Sequence, residues 1–232
     1  METTGGVRSH IEADAHRALA AQGLACAEVT DALGRVHRHR AHVSGLVSPL
    51  PTRRLFGRVI TISFFPACAE RLGPEEFNFG RLFHQAVQGA AADPEHTVLV
   101  MSSNGYTEIS LAGGTKLSRL TNAGLAGVLT DGRLRDFDEL AKEPYAAWCS
   151  GEAVAWGGSE VTPFQANVPV VIGGVGVHPG QYVFCDSSGA VFIPESDIDR
   201  VLETAHQIRS DDASYRTAIA RESIDDPHGT ER

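Results

Sequence analysis

With 232 residues, of which 42% are hydrophobic and 21% charged, the chain has the composition of an ordinary globular protein, and a single domain over residues 1–232 is expected. The formal charge of −9 argues against a sequence-independent nucleic-acid surface, which needs clustered positive charge. Cys26, Cys68, Cys149 and Cys185 lack CxxC spacing, so neither a zinc site nor a disulfide framework is signalled. No run approaches the ~18 apolar residues that span a bilayer, the N-terminus lacks a secretory core, and a cytoplasmic protein is the expectation.

N-terminal helices are expected within residues 1–45, a core in 46–195, and a C-terminal helix and tail in 196–232. Ile11, Ala15, Ala18 and Leu19 recur at helical spacing and predict a helix from Ile11 to about Gln22, followed by a second from Ala27 to Gly34. The basic run Arg35 to Arg40, with His37 and His39, reads as a solvated turn or a subunit contact. Leu55 to Phe65, rich in β-branched and aromatic residues, predicts a strand; Phe79 to Ala92 predicts a helix stopped before Asp93-Pro94, and Thr97 to Ser102 a strand.

The alternation continues through a helix at Lys116–Ala123, a strand at Leu125–Thr130, a turn at Asp131-Gly132 and a short helix at Phe137–Lys142. Val168–Ile172, Tyr182–Cys185 and Ala190–Ile193 predict short strands separated by glycine turns, antiparallel or barrel-like in arrangement. From about Asp197 to Arg221 a helix carries the stripe Ile198, Val201, Leu202, Ala205, Ile208 and Ile219, and the polar tail after Ile224 is expected to fray.

Chemistry concentrates around Arg135 and Asp136. A guanidinium is a fixed fork of donors suited to a carboxylate or a developing enolate oxygen, and a carboxylate is a hard ligand for Mg²⁺ or Mn²⁺. Upstream, Gly113, Gly114, Thr115 and Lys116 lead into a helix, where converging backbone N–H groups suit an anion, although by itself a glycine pair more often marks a plain tight turn. The spacing from Gly114 through Arg135-Asp136 to Glu139 reads G-x20-R-D-x2-E.

With that pattern the chain resembles the RraA-like family, which holds class II aldolases of 4-hydroxy-4-methyl-2-oxoglutarate, oxaloacetate decarboxylases and the non-catalytic regulator of ribonuclease activity A. The resemblance runs from Thr30-Asp-Ala-Leu-Gly34 through Arg54–Thr61 and Asp131–Asp136 to His178–Asp186 and Gly189–Pro194. It implies an α/β fold, the swivelling β/β/α domain, in which a layered sandwich with a central β-barrel-like sheet carries flanking helices. It also implies trimers or hexamers with sites between subunits, a divalent metal (Mg²⁺ or Mn²⁺) and a small 2-oxo acid substrate, with no nucleic-acid or membrane partner.

By the same resemblance, residues 113 to 116 hold the oxyacid, Arg135 binds its oxygen, Asp136 ligates the metal, and Glu139 stands behind it. Asp212, or Asp211, of the C-terminal helix is the counterpart of an acidic residue supplied by a neighbouring subunit. The implied reaction is carbon–carbon cleavage, retro-aldol or decarboxylation, through a pyruvate-type enolate; the alternatives are a protein-binding regulator or a related enzyme for another oxyacid. Two departures bear on substrate: Gly114 stands where relatives carry an acid, with Lys116 nearby, and residues Trp156 to Thr162 replace the usual form.

Local sequence leaves other readings open. Asp136 and Glu139 also fit a capping box, and Arg135 a surface ion pair. Lys116 fits a solvated helix position, or alternatively a Schiff-base lysine, although no apolar surround for it is legible. Among ten histidines no HExxH set occurs, and His84 alone is a minor pocket candidate.

Overall fold

The computed structural model describes residues 4–68, 71–88 and 93–221. Helices α1 (Thr4–Ala21) and α2 (Cys26–Gly34) precede strands β1 (His42–Val43) and β2 (Leu55–Pro66). Then follow α3 (Phe79–Gln88), β3 (Thr97–Ser102), β4 (Ser110–Ala112), α4 (Gly114–Ala123), β5 (Gly127–Thr130), β6 (Arg133–Leu134), α5 (Phe137–Leu140) and β7 (Ala146–Trp148). The last part holds β8 (Val161–Ala166), β9 (Val170–Ile172), β10 (Val175–Val177), β11 (Tyr182–Asp186), β12 (Gly189–Ile193) and α6 (Ile198–Ile219).

The long apolar strand β2 organises the main sheet. Leu55–Arg58 pairs antiparallel with β11, Arg58–Ser63 parallel with β3, and Ile62–Pro66 antiparallel with β8. The full order is β1-β12-β11-β2-β3-β5-β7, with β8 branching from β2. Just beyond the two edge strands, Val47 and Cys149 exchange backbone hydrogen bonds of 2.7 and 2.9 Å, so the edges of the curled sheet touch. The expected barrel-like sheet is thus present as an open ladder whose rims meet at one bridge.

Period-two alternation sorts each strand's side chains between two layers. Val59, Val98, Val100, Leu129, Val183, Cys185, Ala190 and Phe192 point into the curled sheet, where β9 and β10 add Val170, Ile172, Val175 and Val177. On the outer face Ile60, Ile62, Leu99, Met101 and Val128 pack under α3 and α4 through Leu82, Phe83, Leu117 and Leu120. Tyr182, Phe184, Val191 and Ile193 pack under α2 and α6 through Val29, Leu33, Val201 and Leu202. At about 1.5–3 kcal/mol for each large side chain removed from water, these layers supply the driving force for folding.

Several expectations change. Leu19, assigned to an inward stripe, is 64% exposed, whereas Asp14 of the same helix is buried. The Asp14 carboxylate accepts from Arg58 Nε at 3.0 Å, Arg17 Nη1 at 3.1 Å and the Tyr182 hydroxyl, so α1 docks through an ion cluster together with Ala20 and Ala21 at its C-terminal end. Ile219 is likewise exposed, the buried stripe of α6 ending at Ile208. Residues 89–92 of the predicted third helix, and the tail after Ile224, lie outside the described residues. Strands β4, β6, β7, β8 and β10 had no sequence expectation: four are two or three residues long, and β8 carries Pro163, tolerated because β8 pairs on one side only.

Candidate functional site

Ligands in open α/β sheets gather beyond the carboxyl ends of parallel strands, and here those ends are Ser102 of β3 and Thr130 of β5. Buried Asp131 ties the loops there together, accepting from the Ser103 amide at 2.7 Å and from the Gly173 amide at 3.2 Å. The polypeptide then forms a second, two-rung parallel ladder in which Ser110 pairs with Arg133 and Ala112 with Leu134. Arg135 N–H donates to the Ala112 carbonyl at 3.2 Å, and the next residues, Gly113-Gly114 on one strand and Arg135-Asp136 on the other, are thereby set side by side.

Both glycines are required by this approach. A Cβ on Gly113 would lie 2.4 Å from Asp136 Oδ2 and 2.7 Å from Arg135 Cγ; one on Gly114 would lie 2.2 Å from Glu139 Oε2. The Gly114 amide donates to Asp136 Oδ2 at 3.0 Å, and Arg135 Nε lies 3.6 Å from the same oxygen. Asp136 adopts φ 65° and ψ 44°, the left-handed conformation that aspartate tolerates better than most residues.

The capping reading is corrected here. Asp136 precedes α5, but its carboxylate makes no hydrogen bond to that helix; the Phe137 amide at the helix start is taken by Glu152 Oε1 at 3.1 Å. Glu139 turns back toward Gly114 instead of bonding the residue before the helix. The Asp136 carboxylate is left as a partly exposed oxygen donor set, 35% accessible, at the rim of a cavity.

That cavity, about 260 Å³, is lined by Ser110, Gly113, Thr115, Lys116, Arg135, Asp136 and Trp156. A second cavity of about 470 Å³ adjoins it and shares Arg135 and Asp136, with Glu152 and Val154 on its far wall. The segment around Trp156 is brought in by bridges from Ser110 to Trp156 and from Leu134 to Glu152. Glu152 had no sequence signal, because its contribution depends on those isolated bridges.

Lys116 is not a solvated helix residue. Its ammonium sits 5.6 Å from the centre of the Phe79 ring and 6.0 Å from that of Trp156, and donates to the Leu111 carbonyl at 3.3 Å. Desolvation, reinforced by the nearby Arg135 and Arg119 charges, holds its pKa below the ordinary lysine value.

Other expected residues lie apart. Asp212 and Asp211 are exposed on the second half of α6 and line none of these cavity walls, and His84 is exposed on α3, away from the cavity. Among the described residues, Asp93, Glu95 and His96 form a compact trio of potential metal ligands, but they precede β3, at the opposite end of the parallel strands. There the His96 ring is already paired to Asp93 Oδ1 at 2.8 Å. No described helix is long and apolar enough to cross a membrane.

Comparison with known proteins supports this architecture. The family described as RraA-like, Aldolase/RraA, matches residues 26–192. Protein DlpA of Legionella pneumophila is 27% identical over 215 residues, covering 90% of this chain, which spans only 33% of that protein. A 4-hydroxy-4-methyl-2-oxoglutarate aldolase of Thermus thermophilus is 30% identical over 98 residues, 42% of this chain and 59% of the relative. The crystal structure of Streptomyces coelicolor RraAS2, an unusual member of the RNase ES inhibitor RraA family, superposes with a TM-score of 0.74 at 22% identity. It covers 86% of this chain and 96% of that one, and at this identity it speaks to the fold alone. On the matched span, the fold and the ladder that joins residues 112–114 to 134–136, the chain belongs to the RraA-like family.

Proposed function

We infer that the protein is a divalent-metal-dependent carbon–carbon lyase that cleaves a 2-oxo acid, by retro-aldol reaction or decarboxylation, through a pyruvate-type enolate. The observation carrying this reading is that Arg135 and Asp136 line one cavity beside the buried glycine pair Gly113-Gly114, with Asp136 spared from helix capping. Family membership and the aldolase relative agree with it.

The donor chemistry fits Mg²⁺ or Mn²⁺. These ions take hard oxygen ligands, keep several waters and need only one or two carboxylates, which Asp136 supplies at a rim with room for more. When bound, the ion would supply Lewis-acid polarisation of the keto and carboxylate oxygens. Arg135 would face the negative charge that develops on the keto oxygen as the bond breaks, an arrangement commonly worth roughly 3–4 kcal/mol per donor. The residue 113–116 segment would seat the substrate carboxylate, with Thr115 and Lys116 on the cavity wall. Glu139, fixed against Gly114, would keep the Asp136 loop in place.

A retro-aldol substrate also needs a base for its hydroxyl proton. Asp212, or Asp211 one residue away, would serve from the α6 helix of a neighbouring subunit in a homotrimer or hexamer, since within its own chain neither lines the cavity. Pyruvate release from oxaloacetate and from 4-hydroxy-4-methyl-2-oxoglutarate, measured with Mn²⁺ and with excess chelator, tests the reading. Activity that disappears with chelator and in Asp136→Ala is the expected result; full activity in either case overturns it.

The partial burial of Lys116 favours one second reading, in which its neutral amine adds to the keto carbon and the carbinolamine loses water to form an imine. Borohydride would then trap substrate on Lys116, and absence of a mass adduct at that residue dismisses it.

A further inference from the structure

Eight residues after α2 carry a charge pattern unlike the rest of the molecule. From Arg35 to His42 there are three arginines, three histidines and no acid, in a chain of formal charge −9. The segment is folded rather than splayed. The amides of Arg35, Val36 and His37 close the end of α2 on Ala32 and Leu33, and His42 is locked into β1 against Val191 of β12.

Between these two fixed ends lies a cavity of about 440 Å³, lined on its polar side by Asp31, His37, Arg38, His39, Arg40 and His42. That volume lies within the roughly 300–1,000 Å³ of small-molecule sites. None of its walls is shared with the cavity at Arg135 and Asp136.

One imidazole is paired with a carboxylate, whereas the two later arginines are positioned but not neutralised. His37 Nε2 is held by Asp197 Oδ2 at 3.1 Å, and the His39 ring packs edge-on against it with centroids 4.8 Å apart. Arg40 Nε donates to the His42 carbonyl at 3.1 Å, which orients its guanidinium and leaves the terminal N–H groups for another acceptor. Among the described residues, neither Arg38 nor Arg40 has a carboxylate within 4.0 Å, and Asp31 is the single acid on the wall. Helix polarity accounts for Arg35, which closes α2, but its influence fades within the last turn and does not reach the two later arginines.

We propose that this cavity is a binding site for a small, multiply charged phosphoryl-bearing anion, separate from the candidate catalytic pocket. Guanidinium forks match the geometry of phosphoryl oxygens, and two of them with adjacent imidazoles in a concave site favour a compact polyanion over an extended strand. The proposal does not depend on the lyase reading.

The test is calorimetric titration of the full chain with inorganic pyrophosphate at low ionic strength, repeated with Arg38→Gln/Arg40→Gln and with a charge-matched control, Arg209→Gln/Arg216→Gln. Saturable binding that weakens about tenfold or more in the first double variant and is unchanged in the control supports the site. Thermal melting checks that both variants stay folded, which exposed positions allow. Absence of saturable binding overturns the proposal, as does equal weakening in the control. So does tighter binding of a short RNA that pyrophosphate fails to displace, because the surface would then serve a nucleic-acid strand.

Discussion

The amide of Gly114 donates to the carboxylate of Asp136 at 3.0 Å across 22 residues of sequence. The contact exists because Ala112 and Leu134 are register partners, so the residues that follow each of them emerge together. One consequence is a sharp dependence on glycine at two neighbouring positions. In Gly113→Ala the new methyl displaces Asp136 and Arg135, and in Gly114→Ala it displaces Glu139. The struck atoms are side-chain atoms, the carboxylate ends of Asp136 and Glu139 and the Cγ of Arg135, rather than backbone, so the fold should persist while a displacement near 1 Å lowers turnover about 100-fold. Melting curves together with Mn²⁺-dependent pyruvate release check this; unimpaired turnover in both variants would show that the close approach has no part in the chemistry.

Packing predicts a different outcome at Gly127. A Cβ there would lie 2.4 Å from the Ala146 carbonyl oxygen of the neighbouring strand β7 and 2.5 Å from Cδ1 of the buried Leu55 of β2. Gly127→Ala should cost roughly 1–3 kcal/mol of unfolding free energy. Urea denaturation measures it directly, and a variant of unchanged midpoint would mean that β5 and β7 separate easily.

The Asp14 cluster predicts how stability depends on pH. Burial alone would raise this carboxyl's pKa, but hydrogen bonds from Arg58 and Tyr182, with the Arg58 charge and Arg17, outweigh it and hold the pKa below the ordinary carboxylate value. A folded pKa below the unfolded one contributes stability above the unfolded value of about 3.9, and that contribution is lost as pH falls through the folded value. Asp14→Asn should therefore lose roughly 3 kcal/mol at pH 7, and the gap from wild type should narrow below about pH 3.9. Denaturant titrations at several pH values check the trend; a gap that stays constant down to acid pH contradicts it.

Lys116 and Lys142 are the two lysines of the chain, which makes the signal of Lys116 easy to assign. Lys116 is partly buried with a lowered pKa, whereas Lys142 is exposed. Reductive ¹³C-methylation followed by NMR should show Lys116 losing its proton below the ordinary lysine value. Removing the Arg135 charge in Arg135→Gln should raise the Lys116 value, because that charge is among the causes of the shift. A Lys116 titration at the ordinary lysine value would refute its burial.

Much of the molecule was legible in residue order because the relevant signals are local. The apolar run of β2, the all-buried β3 and β5, and the helical stripe Ile198 to Ile208 each follow from periodicity over adjacent residues, as does the pairing of Arg135 with Asp136 in one short segment. The inward face of α1 was misread for the same reason: its partners are the guanidinium of Arg58 and the hydroxyl of Tyr182, which no pattern within the helix encodes. The capping-box reading of Asp136 and Glu139 failed likewise, since Gly114 and Glu152, distant in sequence, decide where carboxylates and helix amides find partners.

Residue order by itself thus determined the helices, the longer strands and the clustering of one guanidinium with one carboxylate, but not the two- and three-residue strands that complete the ladders. Tertiary structure alone decided that two two-residue rungs would bring a glycine pair beneath them, that Trp156 and Phe79 would enclose Lys116, and that the sheet would curl until Val47 met Cys149. The physical reason is range. Hydrophobic periodicity acts over one or two turns, whereas a site is made by hydrogen bonds and steric exclusions between segments that become neighbours only once the core has packed.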